Sequence, residues 1–360
     1  MKPILSLVTL CILSVVGVFA QEPSLSQSKE WIKGLREIHT PNGIETLEQV
    51  ELNGAKQWIS IRGKDRNNPV LLVLHGGPAN PLMPAAWAYQ TPWEDFFTVV
   101  NWDQRGSGKN WISSDTTQLA DELSFRTLVQ DAYVLVDYLL EKLEKDKIFL
   151  MGYSYGSSLG IRMAARIPQK LHAYIGVGQM AGGNPEKVIY DQVMRLAEAD
   201  GNETALNELR SLAPYPATDG STPMRKLIAV RKWSRYFNGG WYGKPDFSLY
   251  YSLPNLSPEY SDQEIKSLDV SMPWITRRLL PNGPVAEIPE EFQIPVFFMM
   301  GRHDLQTPYL SVEDYVKRIN APQKKLVTFE YSGHMPFLEE QGKFLMVLVN
   351  QVFPLSQDGK

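Results

Sequence analysis

Cysteine is almost missing from this chain: the single example in 360 residues is Cys11. Once the apolar stretch that holds it is removed, no disulfide can form and no thiol is left to act as a nucleophile. Runs of lysine or arginine are missing as well, and 36 basic residues against 40 acidic ones leave a net charge of −4. No stripe able to track phosphates exists, so nucleic acid is excluded as a partner. Internal repeats and low-complexity segments are absent, which excludes a solenoid or a fibrous array. What is present is ordinary globular material, 43% hydrophobic and 21% charged, enough for a sizeable core. At this length it suits one large α/β domain with an insertion, or two domains.

The first residues have a separate character. Lys2 is followed by an apolar run from Ile4 to Phe19, and Val18-Phe19-Ala20 puts small residues at the −3 and −1 positions of a cut after Ala20. Residues 1–20 therefore read as a secretory signal peptide. The alternative, an uncleaved anchor, needs roughly 20 apolar residues to span a bilayer, and the run is shorter. The expectation is an exported protein, periplasmic or extracellular, with no stable membrane insertion after cleavage.

From Ile44 to Ile61 two strand-like segments flank Asn53-Gly54, a hairpin signal. Val70 to Leu74 is continuously apolar, as suits a strand buried on both faces, and Phe96 to Val100, Ile148 to Met151, Ala173 to Val177 and Pro295 to Met300 repeat the pattern. Between them lie helical periods, the clearest running from Phe125 to Leu143. Strand and helix in alternation predict a mostly parallel, doubly wound sheet of the α/β class. The alternation stops after Val177, and residues 181–286 are predicted to form an inserted helical cap. The core then comprises 21–180 and 287–360, closing with the strand Lys325 to Tyr331 and a helix through Val352.

The chemistry centres on Gly152-Tyr153-Ser154-Tyr155-Gly156, a G-x-S-x-G block between a buried strand and a helical pattern. In such a nucleophile elbow the turn is too tight for side chains two residues either side of the serine, and the hydroxyl is lifted above the carboxyl end of the sheet. A serine needs a base, and the base needs an acid to orient it. His334, in the loop after the last strand, is the expected base. Asp304, after the strand that begins at Pro295, is the expected acid; His303 beside it is the competing histidine, but the order Ser, Asp, His requires His334 last. Asp304 could instead be a turn aspartate ahead of Thr307-Pro308. The oxyanion needs two backbone N–H groups, expected from Tyr155 and from Gly77 in the loop His75-Gly76-Gly77-Pro78. His75 is expected to be structural. Asp131 and Asp137, on the long helix, are expected to face solvent.

Five blocks together resemble the α/β-hydrolases of the proline iminopeptidase type: His75-Gly76-Gly77-Pro78, Asp103-Gln104-Arg105-Gly106-Ser107-Gly108, Gly152 to Ser157, Gly301-Arg302-His303-Asp304, and Gly333-His334. The resemblance runs from about residue 40 to the end. It implies the α/β-hydrolase fold, Ser154, Asp304 and His334 as the triad, a cap between the sixth strand and the acid-bearing one, and release of an N-terminal residue, often proline, from short peptides. The chain departs from the family pattern at Ala79, Tyr155 and His303, where glycine, tryptophan and tyrosine are usual.

An aminopeptidase site needs a carboxylate for the substrate amine, and Glu186, early in the cap, is the expected one, with Asp191 and Glu198 behind it. Trp233 and Trp241, in an aromatic cluster with Tyr236, Phe237 and Tyr242, are expected to line an apolar substrate pocket or else form the cap's own core. No cofactor and no metal are expected. The substrate is a short peptide or, as the alternative, a small acyl ester cleaved by a carboxylesterase; a non-catalytic ligand-binding homologue is the remote third possibility.

Overall fold

The computed structural model describes residues 23–280 and 287–357. The N-terminal apolar run, with Cys11 and the expected cut after Ala20, lies outside the described residues, as does the end of the expected cap at 281–286. Eight strands form one sheet: β1 (Ile44–Leu52), β2 (Ala55–Gly63), β3 (Val70–Leu74), β4 (Thr98–Trp102), β5 (Ile148–Tyr153), β6 (Leu171–Val177), β7 (Val296–Gly301) and β8 (Lys324–Phe329). Their order is β1-β2-β4-β3-β5-β6-β7-β8. The pairs β1–β2 and β2–β4 are antiparallel, and every later pair is parallel. The hairpin expected at the edge is there: Asn53 and Gly54 both take positive φ, 49° and 78°, as a type I′ turn demands.

A first helix, α1 (Leu25–Leu35), precedes the sheet, and burial on both faces explains why the central strands are apolar throughout. Leu72 and Leu74 of β3 and Ile148 and Leu150 of β5 pack on one face, beneath α2 (Phe125–Lys142), α3 (Tyr155–Arg166) and α9 (Tyr309–Arg318). Their neighbours Leu71, Val73, Phe149 and Met151 point to the other face, covered by α10 (Pro336–Glu339), α11 (Gln341–Val347) and the short turns at Met83–Ala88 and Thr91–Asp95. The period of two along each strand thus serves two separate cores. β4 begins two residues later than its apolar run, because Phe96 and Phe97 close the turn before it and pack Phe97 edge-on against Phe149. The closing helix is interrupted: α10 ends at Glu339, α11 at Val347, and a wider turn carries Leu348–Val352.

The chain leaves the sheet after β6 and returns at β7, and no described residue between them is in a named strand. Within this insertion α4 (Pro185–Asp200), α5 (Glu203–Ser211) and α6 (Met224–Tyr236) share a small core of their own, including Ile189, Val193, Leu209, Val230 and Trp233. The later part behaves differently. Tyr250 of α7 (Ser248–Ser252) and Ile275 and Leu279 of α8 (Asp262–Leu279) join the two cores of the sheet.

One expectation is overturned here. Asp131 does not face solvent: its carboxylate is fully buried, takes Nε and Nη2 of Arg105 at 2.8 and 2.9 Å, and accepts from Gln57 at 2.9 Å and Asn53 at 3.2 Å. Arg105 continues to the carbonyls of Leu52 and Asn53, so this pair pins the Asp103–Gly108 loop to the hairpin and to α2. Helical periodicity could not reveal it, because the partners lie 26 and 74 positions away. Asp137 is exposed, as expected, beside Lys170. Removing one partner of a buried pair strands the other, at a cost of about 3–5 kcal/mol. Asp131→Ala is therefore expected to lower unfolding stability by that amount in denaturant titration; a change under 1 kcal/mol would refute the role.

Candidate active site

Ser154 stands between β5 and α3 with φ 51° and ψ −121°, a strained conformation for a residue with a side chain. The turn is possible because of its glycines. A Cβ on Gly152 would meet the Ser157 Cα at 2.7 Å, and one on Gly156 would strike the carbonyl oxygen of Leu74. The Ser154 N–H donates to the Val177 carbonyl at 2.9 Å, which ties the elbow to the end of β6.

His334 Nε2 lies 2.9 Å from Ser154 Oγ, and His334 Nδ1 lies 2.8 Å from Asp304 Oδ2. Both contacts are satisfied when Nδ1 carries the proton and donates to the carboxylate, leaving Nε2 to accept from the serine. Asp304 is held in turn: its Oδ1 accepts the N–H groups of Gln306 and Thr307 at 2.8 and 3.0 Å, and its Oδ2 accepts the Thr307 hydroxyl at 2.9 Å. Asp304 therefore makes the turn contacts of an aspartate before Thr307-Pro308 and the contact to His334 together. Asp304 and His334 are buried and Ser154 is half-buried. His303 takes no part; its ring stacks 4.4 Å from Tyr242.

The loop after β3 abuts the elbow, since a Cβ on Gly76 would lie 2.7 Å from the Ser154 Cβ. Gly77 adopts φ 114°, and among the described residues neither its N–H nor that of Tyr155 donates to a protein acceptor. Tyr155 begins α3, so its N–H also sits at the positive end of a helix. Ala79, where the family has glycine, takes φ 61°, a conformation that glycine adopts without strain. His75 is structural, as expected. Burial pushes it down to about 4, and its neutral ring bridges the Gly76 carbonyl, the Ser107 hydroxyl and the Gln104 N–H.

The expected substrate residues fare less evenly. Glu186 is not free for an amine: its carboxylate is paired with Arg231 and accepts the Tyr215 hydroxyl at 2.6 Å. Arg231 reaches the carbonyls of Leu305 and Gln306, both at 2.9 Å, so the pair joins α4 and α6 to the acid loop. Asp191 is paired with Lys187, and Glu198 is exposed. The aromatic cluster divides. Trp233 is buried in the cap's own core, donating Nε1 to Glu208 at 2.9 Å, and cannot line a substrate pocket. Trp241 instead lies at the base loop: the preceding residue, Gly240, accepts the His334 N–H at 2.7 Å, and Trp241 packs on the cluster that holds Tyr153, Tyr250 and Phe337.

Three contributors went unread in the sequence. Thr307 braces the acid, and Tyr153 lays its ring 5.1 Å from that of His334. Glu339 accepts the N–H groups of Gly333 and Met335, both at 2.8 Å, and of Tyr242 at 2.7 Å. The one available signal was position: an acid in the helix that follows the base.

With this geometry in view, the comparisons with known proteins agree on the class. The family model described as alpha/beta hydrolase fold matches residues 69–341, and the chain belongs to that family. It is 27% identical to a probable aminopeptidase of Bacillus subtilis, over 86% of this chain and 97% of that protein. It is 25% identical to a proline iminopeptidase of Saccharolobus solfataricus, over 82% and 88%. The solved structure of a proline iminopeptidase from Mycobacterium smegmatis superposes with a TM-score of 0.57 over 88% of this chain and all of that one; at 17% identity it bears on the fold alone.

The Glu186–Arg231 pair makes its own prediction. Glu186→Gln leaves a half-buried guanidinium without its counter-ion, at a cost of about 1–3 kcal/mol. It is expected to lower the melting temperature while leaving KM for any amine substrate unchanged; a raised KM at unaltered melting temperature would return Glu186 to substrate binding.

Proposed function

We propose that this hydrolase is a serine aminopeptidase that releases N-terminal proline or another small residue from short peptides through an acyl-enzyme. The observation that carries the reading is the unbroken hydrogen-bond chain from Ser154 Oγ through the His334 ring to Asp304. In the proposed reaction Ser154 Oγ attacks the scissile carbonyl as its proton passes to His334 Nε2, and Asp304 stabilises the imidazolium. The N–H groups of Gly77 and Tyr155 receive the oxyanion. Collapse transfers the Nε2 proton to the leaving amine, and water repeats the sequence on the ester.

The aminopeptidase names of the relatives support the substrate class. One observation favours a second reading, a carboxylesterase for small acyl esters: the expected amine acceptor, Glu186, already has a partner. An unpaired ammonium enclosed beneath a cap would cost several kcal/mol, and an ester brings no such charge.

Wild type is expected to react with an organophosphonate probe and to cleave a prolyl-arylamide. Ser154→Ala should lose both activities, and activity retained by that variant would sink the serine mechanism. N-acetylation of the arylamide should abolish turnover; an unchanged kcat/KM would replace the peptidase with the esterase. We also propose export, on the strength of the N-terminal apolar run. Sequencing of secreted protein should start at or near Gln21, and an intact Met1 would refute cleavage.

A further inference from the structure

Three consecutive amides of the loop carrying His334 are each held. The His334 N–H donates to the Gly240 carbonyl at 2.7 Å. On either side of it, the N–H groups of Gly333 and Met335 donate to the two oxygens of one carboxylate, Glu339 Oε2 and Oε1, both at 2.8 Å. The same Oε2 accepts the Tyr242 N–H at 2.7 Å. Glu339 therefore sets the backbone on both sides of His334 and fixes the chain segment, Gly240 to Tyr242, that supports the third amide. Gly333 permits this approach, since a Cβ there would sit 2.6 Å from the Gly240 carbonyl oxygen. Its neighbour Glu340 holds only the preceding part of the loop, through the Tyr331 N–H at 2.9 Å and the Ser332 hydroxyl at 2.8 Å.

We propose that Glu339 is a positioning residue for the reaction: its carboxylate orients the His334 ring between Ser154 and Asp304 by clamping Gly333, Met335 and Tyr242. The assignment rests on the serine-hydrolase reading above, but not on which substrate is cleaved. Glu339 is half-buried and has no lysine or arginine partner among the described residues; partial burial pushes it up from its ordinary value, and three N–H donors favour the charged form. Charge-assisted bonds of this kind are short and directional, which suits a group that must fix geometry. Glutamine is not conservative at such a site. It has one acceptor oxygen, so its NH2 group must face either the Met335 N–H or the pair from Gly333 and Tyr242, donor against donor.

A displacement of about 1 Å in a reacting group can cost about 100-fold in rate. Glu339→Gln and Glu339→Ala are accordingly expected to lower kcat per phosphonate-titrated site by about 10- to 100-fold with KM within about twofold of wild type. Titrating active sites separates this loss from a smaller folded fraction, which a purely structural residue would produce. The second readout needs no substrate: the downfield proton resonance of the His334 Nδ1–H···Asp304 bond should shift or broaden in Glu339→Gln. Unchanged kcat per titrated site together with an unchanged resonance would overturn the proposal, and so would failure of both variants to fold, which would place Glu339 in the fold instead. If wild type itself fails to react with the phosphonate, the serine reading falls, and the resonance alone then judges whether Glu339 orients His334.

Discussion

At Ser154 the chain must turn from a buried strand into a helix within one residue, and most of the site follows from that turn. Its φ of 51° is tolerable because the side chains that would block it are missing at Gly152 and Gly156. The missing side chain at Gly156 has a second effect. It lets the carbonyl ends of β3 come against the first turn of α3, so the loop bearing Gly76 and Gly77 arrives beside the serine. The close approach that raises the hydroxyl therefore also brings the Gly77 N–H, one of the two proposed oxyanion donors, to the serine. Parallel pairing does the rest: β5, β6 and β7 end at one edge, and the loops after β7 and β8 bring the acid and the base there.

The cap is coupled to the triad through main-chain bonds. Arg231 reaches the carbonyls that follow Asp304, Leu305 N–H donates to the Gly239 carbonyl at 2.9 Å, and Gly240 and Tyr242 bind the loop of His334 directly or through Glu339. Residues 231–239 thus brace the loop of Asp304, and residues 240–242 the loop of His334. This stretch therefore ties the loop of Asp304 to the loop of His334.

The fold was legible where one physical rule decides. Strands buried on both faces have to be apolar throughout, and the turn at Asn53-Gly54 needs two positive φ values, so the hairpin and the central strands β3 to β7 could be read nearly in full; the edge strand β8, expected at Lys325 to Tyr331, runs Lys324–Phe329, where only alternate residues are buried. The order Ser154, Asp304, His334 was legible because the loops after successive parallel strands share one edge. What remained hidden depends on long-range pairing of charges. Asp131 sits at a helical position compatible with solvent, and nothing local reveals Arg105 as its partner. Glu186 looked available because Arg231 follows 45 residues later. Trp233 and Trp241 looked like one cluster, yet a helix end and a turn between them send the first into the cap and the second to His334.

The charges around the site also act on one another. Burial does most to raise Tyr153 above its ordinary value, and the negative charges of Asp304 and Glu339 add to the rise, together with Tyr250 and Tyr251. Burial would oppose a cation at that hydroxyl as well, so the shift reports enclosure first and the negative charges second. Neither carboxylate has a lysine or arginine partner among the described residues; Glu339 is held by three N–H donors, and Asp304 by two N–H groups, the Thr307 hydroxyl and the His334 imidazole. Their charge is accordingly not offset by a lysine or arginine, in contrast to that of Glu186.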